Sequence, residues 1–144
     1  MEAIAGLIGR ELPGGRFTLE GYEDWMMRDV VLDTPGPEAH LHPLSVFAAL
    51  QRSIGMTLAD FFQLCGAHAD EGPMLGDTTI EILTPLLIDR EYTVRATITD
   101  AQRKVGRTAG TIDIVHLTME GLDPSEHVVA RVVNSYIFRR SEAP

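Results

Sequence analysis

An α+β chain in which a curved antiparallel sheet wraps one long helix is predicted by three observations. Residues 44–65 (LSVFAALQRSIGMTLADFFQLC) are apolar on almost every side, with only Gln51, Arg52, Asp60 and Gln63 strongly polar, so a helix there must be covered on most of its surface. Four segments rich in β-branched and aromatic residues follow: DTTIEIL, EYTVRATITDAQRK, GTIDIVHLTMEG and EHVVARVVNSYIFRR. The connections VGRTA and LDPS are of hairpin length, which makes the sheet antiparallel, and one sheet covers a helix only by curving around it.

Taken in chain order, residues 3–9 suit one or two helical turns, stopped by Pro13, Gly14 and Gly15. RFTLEGYEDW, residues 16–25, has the Phe, Thr, Tyr and Trp content of an edge strand. DTPGPEA, residues 33–39, holds two prolines and a glycine and reads as an ordered loop within one domain spanning 1–144. Pro43 suits a first helical turn and Gly66 a helix stop. Between them Gly55 costs about 1 kcal/mol relative to alanine, and Thr57 ahead of Asp60 resembles a restart cap, so a kink or break is expected there. In the last strand Val128, Ala130, Val132, Asn134, Tyr136 and Phe138 share the core face. The other face carries Val129, Val133 and Ile137 and needs cover, and an open sheet edge invites pairing, so a dimer is expected.

Length and charge narrow the function classes. A chain of 144 residues buries enough surface to fold without a disulfide or cofactor. Its formal charge of −9 repels phosphate and argues against nucleic acid or an anionic membrane as partner. One cysteine, Cys65, has no second to pair with, which fits a reducing compartment, and MEAIAGLIGRELPGG has no cationic leader, so a cytoplasmic location is expected. His68, His116 and His127 lack the paired spacing of a metal site, and no metal is expected. The sequence contains no Gly-rich phosphate loop and no Gly-x-Ser-x-Gly elbow.

The order of helix, loop and strands, with HP at residues 42–43, GPMLGDTTIEILTPLLIDREYTVRATITD, RKVGR and the closing ARVVNSYIFRR, resembles the MaoC-like acyl dehydratases and hydratases across about residues 20 to 140. The resemblance implies the hot-dog fold. It also implies water added to or removed from the α,β bond of an acyl chain held as a thioester, with coenzyme A or phosphopantetheine entering only as part of the substrate and no separate cofactor. The family signature sets an Asp five residues before a His, with Asn-Pro between them. Here five residues from Asp33 fall on Glu38, His40 and His42 lie seven and nine along, and no Asn-Pro is present. Related carrier-protein dehydratases carry a helical Glu, where this helix has Ala48.

Enoyl-thioester hydration needs a base for water, an acid for the α-carbon, and donors for the thioester oxygen. His40 and His42, on extended backbone before a proline, are expected on one side with about 6.5 Å between their α-carbons. Asp33 or Glu38 supplies a carboxylate partner. The amides of Leu44 and Ser45, in the first helical turn, suit an oxyanion. Arg103, Lys104 and Arg107 form a positive island suited to the phosphates of the thioester carrier, or to a solvated hairpin. Met26, Met27, Met56 and Met74 suit an irregular core or acyl tunnel. Three functions follow as alternatives: a hydro-lyase, a non-catalytic hot-dog subunit that shapes the acyl pocket of a catalytic partner chain, and an acyl thioesterase that uses Asp60.

Overall fold

The computed structural model describes residues 2–34, 39–108 and 110–140. A short helix α1 (Glu2–Ala5) and turns to Gly9 lead into strand β1 (Gly15–Thr18) and helix α2 (Gly21–Val30). Helices α3 (Pro43–Arg52) and α4 (Leu58–Leu64) follow, then a 3-10 turn at Ala69–Glu71. Strands β2 (Met74–Ile82), β3 (Glu91–Gly106), β4 (Gly110–Leu122) and β5 (Val128–Arg140) complete an antiparallel sheet in the order β1-β3-β4-β5-β2. Bulges interrupt the ladders between Leu75 and Asp77, Ile98 and Asp100, and Gly121 and Leu122. Such bulges sharpen the local twist and help a sheet curve.

Period-two alternation sends one face of each long strand to the core. Val94, Ala96 and Ile98 of β3, Val115, Leu117 and Met119 of β4, and Ala130, Val132, Tyr136 and Phe138 of β5 are buried. They close over Val46, Ala49 and Leu50 of α3 and Phe61 of α4. A side chain at Gly121 would sit 3.3 Å from Leu50 Cδ2, so the missing Cβ lets the helix lie close to β4.

The helical stretch expected over 44–65, with a kink or break near Gly55, is two helices. Backbone turns at Ser53–Met56, with Gly55 at φ +88°, end α3, and Thr57 Oγ1 accepts the Asp60 amide at 3.1 Å to start α4. The break therefore falls where the glycine and the cap stand in sequence.

The edge strand is shorter than its composition suggests, because residues 21–25 are helical. Glu20 and Glu23 cap α2 reciprocally, the Glu20 amide donating to Glu23 Oε2 at 2.9 Å. Asp24 and Arg28 then pair one turn apart. Tyr22 and Trp25, whose ring content suggested a strand, lie exposed on the outer face of α2. No helix among the described residues is long and apolar enough to cross a membrane.

Candidate active site

The inner face of α2 delivers a buried ion pair to the amino end of α3. Asp24 is 4 % exposed and Arg28 8 %, and Arg28 Nε donates to Asp24 Oδ2 at 2.7 Å. The other oxygen, Oδ1, accepts the His42 amide at 2.8 Å and the Ser45 hydroxyl at 2.7 Å. Burial pushes the Asp24 carboxyl up, but the hydrogen bonds from Arg28, His42 and Ser45 outweigh it and hold the group below its ordinary value.

Arg28 spends its remaining donors on the loop that follows α2. Nη1 reaches Asp33 Oδ2 at 3.1 Å and the Thr34 carbonyl at 3.0 Å, and Nη2 reaches the His40 carbonyl at 3.0 Å. The far side of that loop is held by backbone. His40 bridges Leu87, the Leu41 amide donates to the Leu86 carbonyl at 2.8 Å, and the Ile88 amide donates to Ala39 at 2.9 Å.

Asp33 and His42, both expected from sequence, come together: His42 Nε2 lies 3.6 Å from Asp33 Oδ2. The opposite ring nitrogen is already occupied, since His42 Nδ1 accepts the Leu44 amide at 3.0 Å. His42 is thus the N-cap of α3, a position usually filled by Ser, Thr, Asp or Asn. An Nδ1 that accepts leaves the hydrogen of the neutral ring on Nε2, facing Asp33.

This corrects the expectation for Leu44: its amide is bound within the cap and is not open to an oxyanion. Ser45 is buried with its hydroxyl turned to Asp24. His40 contributes its carbonyl to the Arg28 network, and Glu38 lies outside the described residues.

The basic island divides. Arg103 is bound through two nitrogens to Asp113, which is 0 % exposed in β4 and also receives Arg140 Nε at 2.6 Å. A buried carboxylate needs such partners, so Nε and Nη2 of Arg103 are committed to Asp113. Lys104 and Arg107 remain exposed at the β3–β4 turn. Among the described residues no three His, Cys, Asp or Glu side chains gather as a metal site.

Sequence reasoning missed Asp24 and Arg28, although their i,i+4 spacing is a helical pairing signal. Reading residues 16–25 as a strand hid it.

Two hollows flank α3. The smaller, about 110 Å3, lies between α2 and α3 and includes Met27, Ser45, Ala48 and Arg52 in its lining. The larger, about 760 Å3, is an open and mainly apolar groove along Phe47, Ala48, Gln51, Ile54, Met56 and Leu58. Ala48 and Arg52 line both, so the two meet along one side of the helix. Asp60 stands exposed at the rim of the larger, in the first turn of α4.

No protein-family model matches the sequence. No curated protein matches it either. Solved structures do match. The ChsH1-ChsH2 complex from Mycobacterium tuberculosis is similar with a TM-score of 0.72 at 12% identity, over 99% of this chain and 93% of that one. The HadBC (3R-hydroxyacyl-ACP dehydratase) complex from the same organism gives 0.69 at 14% identity, over 91% and 96%. A MaoC-like dehydratase from Phytophthora capsici gives 0.66 at 12% identity, with this chain 99% covered and spanning 50% of that one. With its two-part central helix under an antiparallel sheet, the chain has the hot-dog fold.

Proposed function

We propose that the chain acts as a hot-dog hydratase or dehydratase on α,β-unsaturated or 3-hydroxyacyl thioesters, with Asp33 and His42 as its acid–base couple. The carrying observation is the 3.6 Å gap between His42 Nε2 and Asp33 Oδ2 at the amino end of the central helix. In the hydration direction, Asp33 takes a proton from water as the water oxygen bonds to the β-carbon, and returns it to the α-carbon. The sum is one water added across the double bond, and dehydration is the reverse. The Nε2–H of His42 donates across the same gap, to the attacking water or to the thioester oxygen. Asp33 is half-exposed and His42 largely covered, so reactants can reach the couple while its geometry stays fixed. The apolar groove beside α3 offers space for an acyl chain. Lys104 and Arg107 are the exposed cations of the basic island left for the phosphates of coenzyme A or a carrier protein.

The test follows loss of the conjugated enoyl-thioester absorbance with purified chain. Turnover that falls in both Asp33→Asn and His42→Asn, each still folded, supports the reading; turnover unchanged in both overturns it.

A second reading, a pocket-shaping subunit of a partner hot-dog chain, draws on two observations. The Leu44 amide is closed by the cap, and HadBC and ChsH1-ChsH2 are described as complexes. Activity that appears only on co-expression with a second hot-dog chain, and that survives Asp33→Asn, favours it.

A further inference from the structure

Helix α2 is inside out. The residues it buries are the charged Asp24 and Arg28, while Trp25 is 58 % exposed, Val30 79 %, and Tyr22 and Met26 are exposed as well. A surface helix ordinarily turns its apolar stripe inward. A buried ion pair is a poor source of stability, because desolvation offsets most of its Coulombic gain and a well-packed apolar pair often does as well or better. What this pair does supply is placement. Through Arg28 it fixes Asp33, Thr34 and His40, and through Asp24 it fixes the backbone of His42 and the side chain of Ser45. Asp33 is a half-exposed loop residue and His42 a helix cap; they share no hydrogen bond with each other, and the Asp24–Arg28 pair is bonded to both.

We propose that Arg28, oriented by Asp24, is a positioning residue that sets the gap between Asp33 and His42. The planar fork is essential to this. Three nitrogens of one guanidinium reach four acceptors on two chain segments, and a lysine ammonium with the same charge cannot span them. The kinetic side of the proposal rests on the hydratase reading above; the geometric side does not.

The test compares wild type with Arg28→Lys and, as a second variant, Arg28→Gln. Circular dichroism establishes folding, nitrogen-15 and carbon-13 NMR of the His42 ring and the Leu44 amide reports geometry, and enoyl-thioester turnover reports function. The expected result is a folded Arg28→Lys chain whose His42 ring signals shift or broaden. Its kcat falls about 10- to 100-fold while KM stays within about two-fold, as for a small misplacement of a reacting group. Unchanged ring signals and unchanged kcat in a folded variant overturn the proposal. Failure of both variants to fold also overturns it, since the pair would then be a stability element alone. If the wild type shows no turnover, the hydratase reading fails by itself, and the ring signals still decide whether Arg28 positions His42.

Discussion

Nε2 of His42 faces Oδ2 of Asp33 across 3.6 Å while Nδ1 of the same ring caps α3 at the Leu44 amide. One imidazole thus joins the helix start to the proposed acid–base couple, and the two duties separate by substitution. Asparagine is among the best N-caps but cannot place a donor where Nε2 stands. His42→Asn is expected to keep the thermal midpoint within a few degrees and to lose about 100-fold or more of turnover. His42→Ala should lose turnover equally and also about 1 kcal/mol of stability, read by thermal denaturation.

Much of this was legible because the signals are local. Pro43 after His42 marks the start of α3, Gly55 and Thr57 mark the break, and the alternation along Ala130–Phe138 marks the core face of β5, although at the strand's start Val129 is buried and Val128 is not. Asp33 and His42 were legible as candidates, alongside Glu38 and His40, because one loop carries all four. The rest depends on neighbours distant in sequence. Rings at Tyr22 and Trp25 suggest a strand until the Glu20–Glu23 cap and the site-facing Asp24–Arg28 pair are seen to impose a helix. Arg103 looks free for phosphate until Asp113, an isolated acid in the apolar strand GTIDIVHL, is found to need both it and Arg140.

Asp113 gives a pH signature. Its burial raises the carboxyl, but hydrogen bonds and charge from Arg103 and Arg140 bring it below the ordinary aspartate value. A carboxyl that binds protons less tightly folded than unfolded adds stability in full above its unfolded value, near 3.9. That stability drains as pH falls through the lower folded value. Asp113→Asn should therefore lose about 3 kcal/mol at pH 6, by removing the centre of a buried charge cluster. The gap to wild type should narrow as pH drops below about 4. Denaturant melts at pH 6, 4 and 3 check this, and a gap of constant size would contradict it.

Cys65 closes α4 and is buried, and burial pushes its thiol up to about 12. An unfolded thiol near 8.5 is partly thiolate at pH 8, whereas the folded one is almost entirely protonated. Alkylation at pH 8 should therefore run at least about 1000-fold slower in the native chain than in denaturant. Labelling followed by mass spectrometry measures this, and comparable native and denatured rates would mean that the end of α4 opens freely.

Gly55 and Gly9 form a matched pair for testing how tightly the break between α3 and α4 packs. Their φ angles are +88° and +85°, so an alanine at either site meets the same left-handed strain, about 1–2 kcal/mol. Their surroundings differ. A Cβ at Gly9 meets nothing within 4 Å, whereas at Gly55 it falls 2.5 Å from the Gly14 carbonyl oxygen and 2.7 Å from Pro13 Cβ. The Gly14 amide donates to the Ile54 carbonyl at 2.9 Å, so the two backbones are hydrogen-bonded at the point where room would have to be made. Gly55→Ala should then cost about 1–3 kcal/mol more than Gly9→Ala, the usual range for overpacking. Urea denaturation of the two variants measures the difference directly. Equal losses would show that the 13–15 and 53–55 segments separate at little cost, and that the break is held by the Thr57 cap and not by this contact.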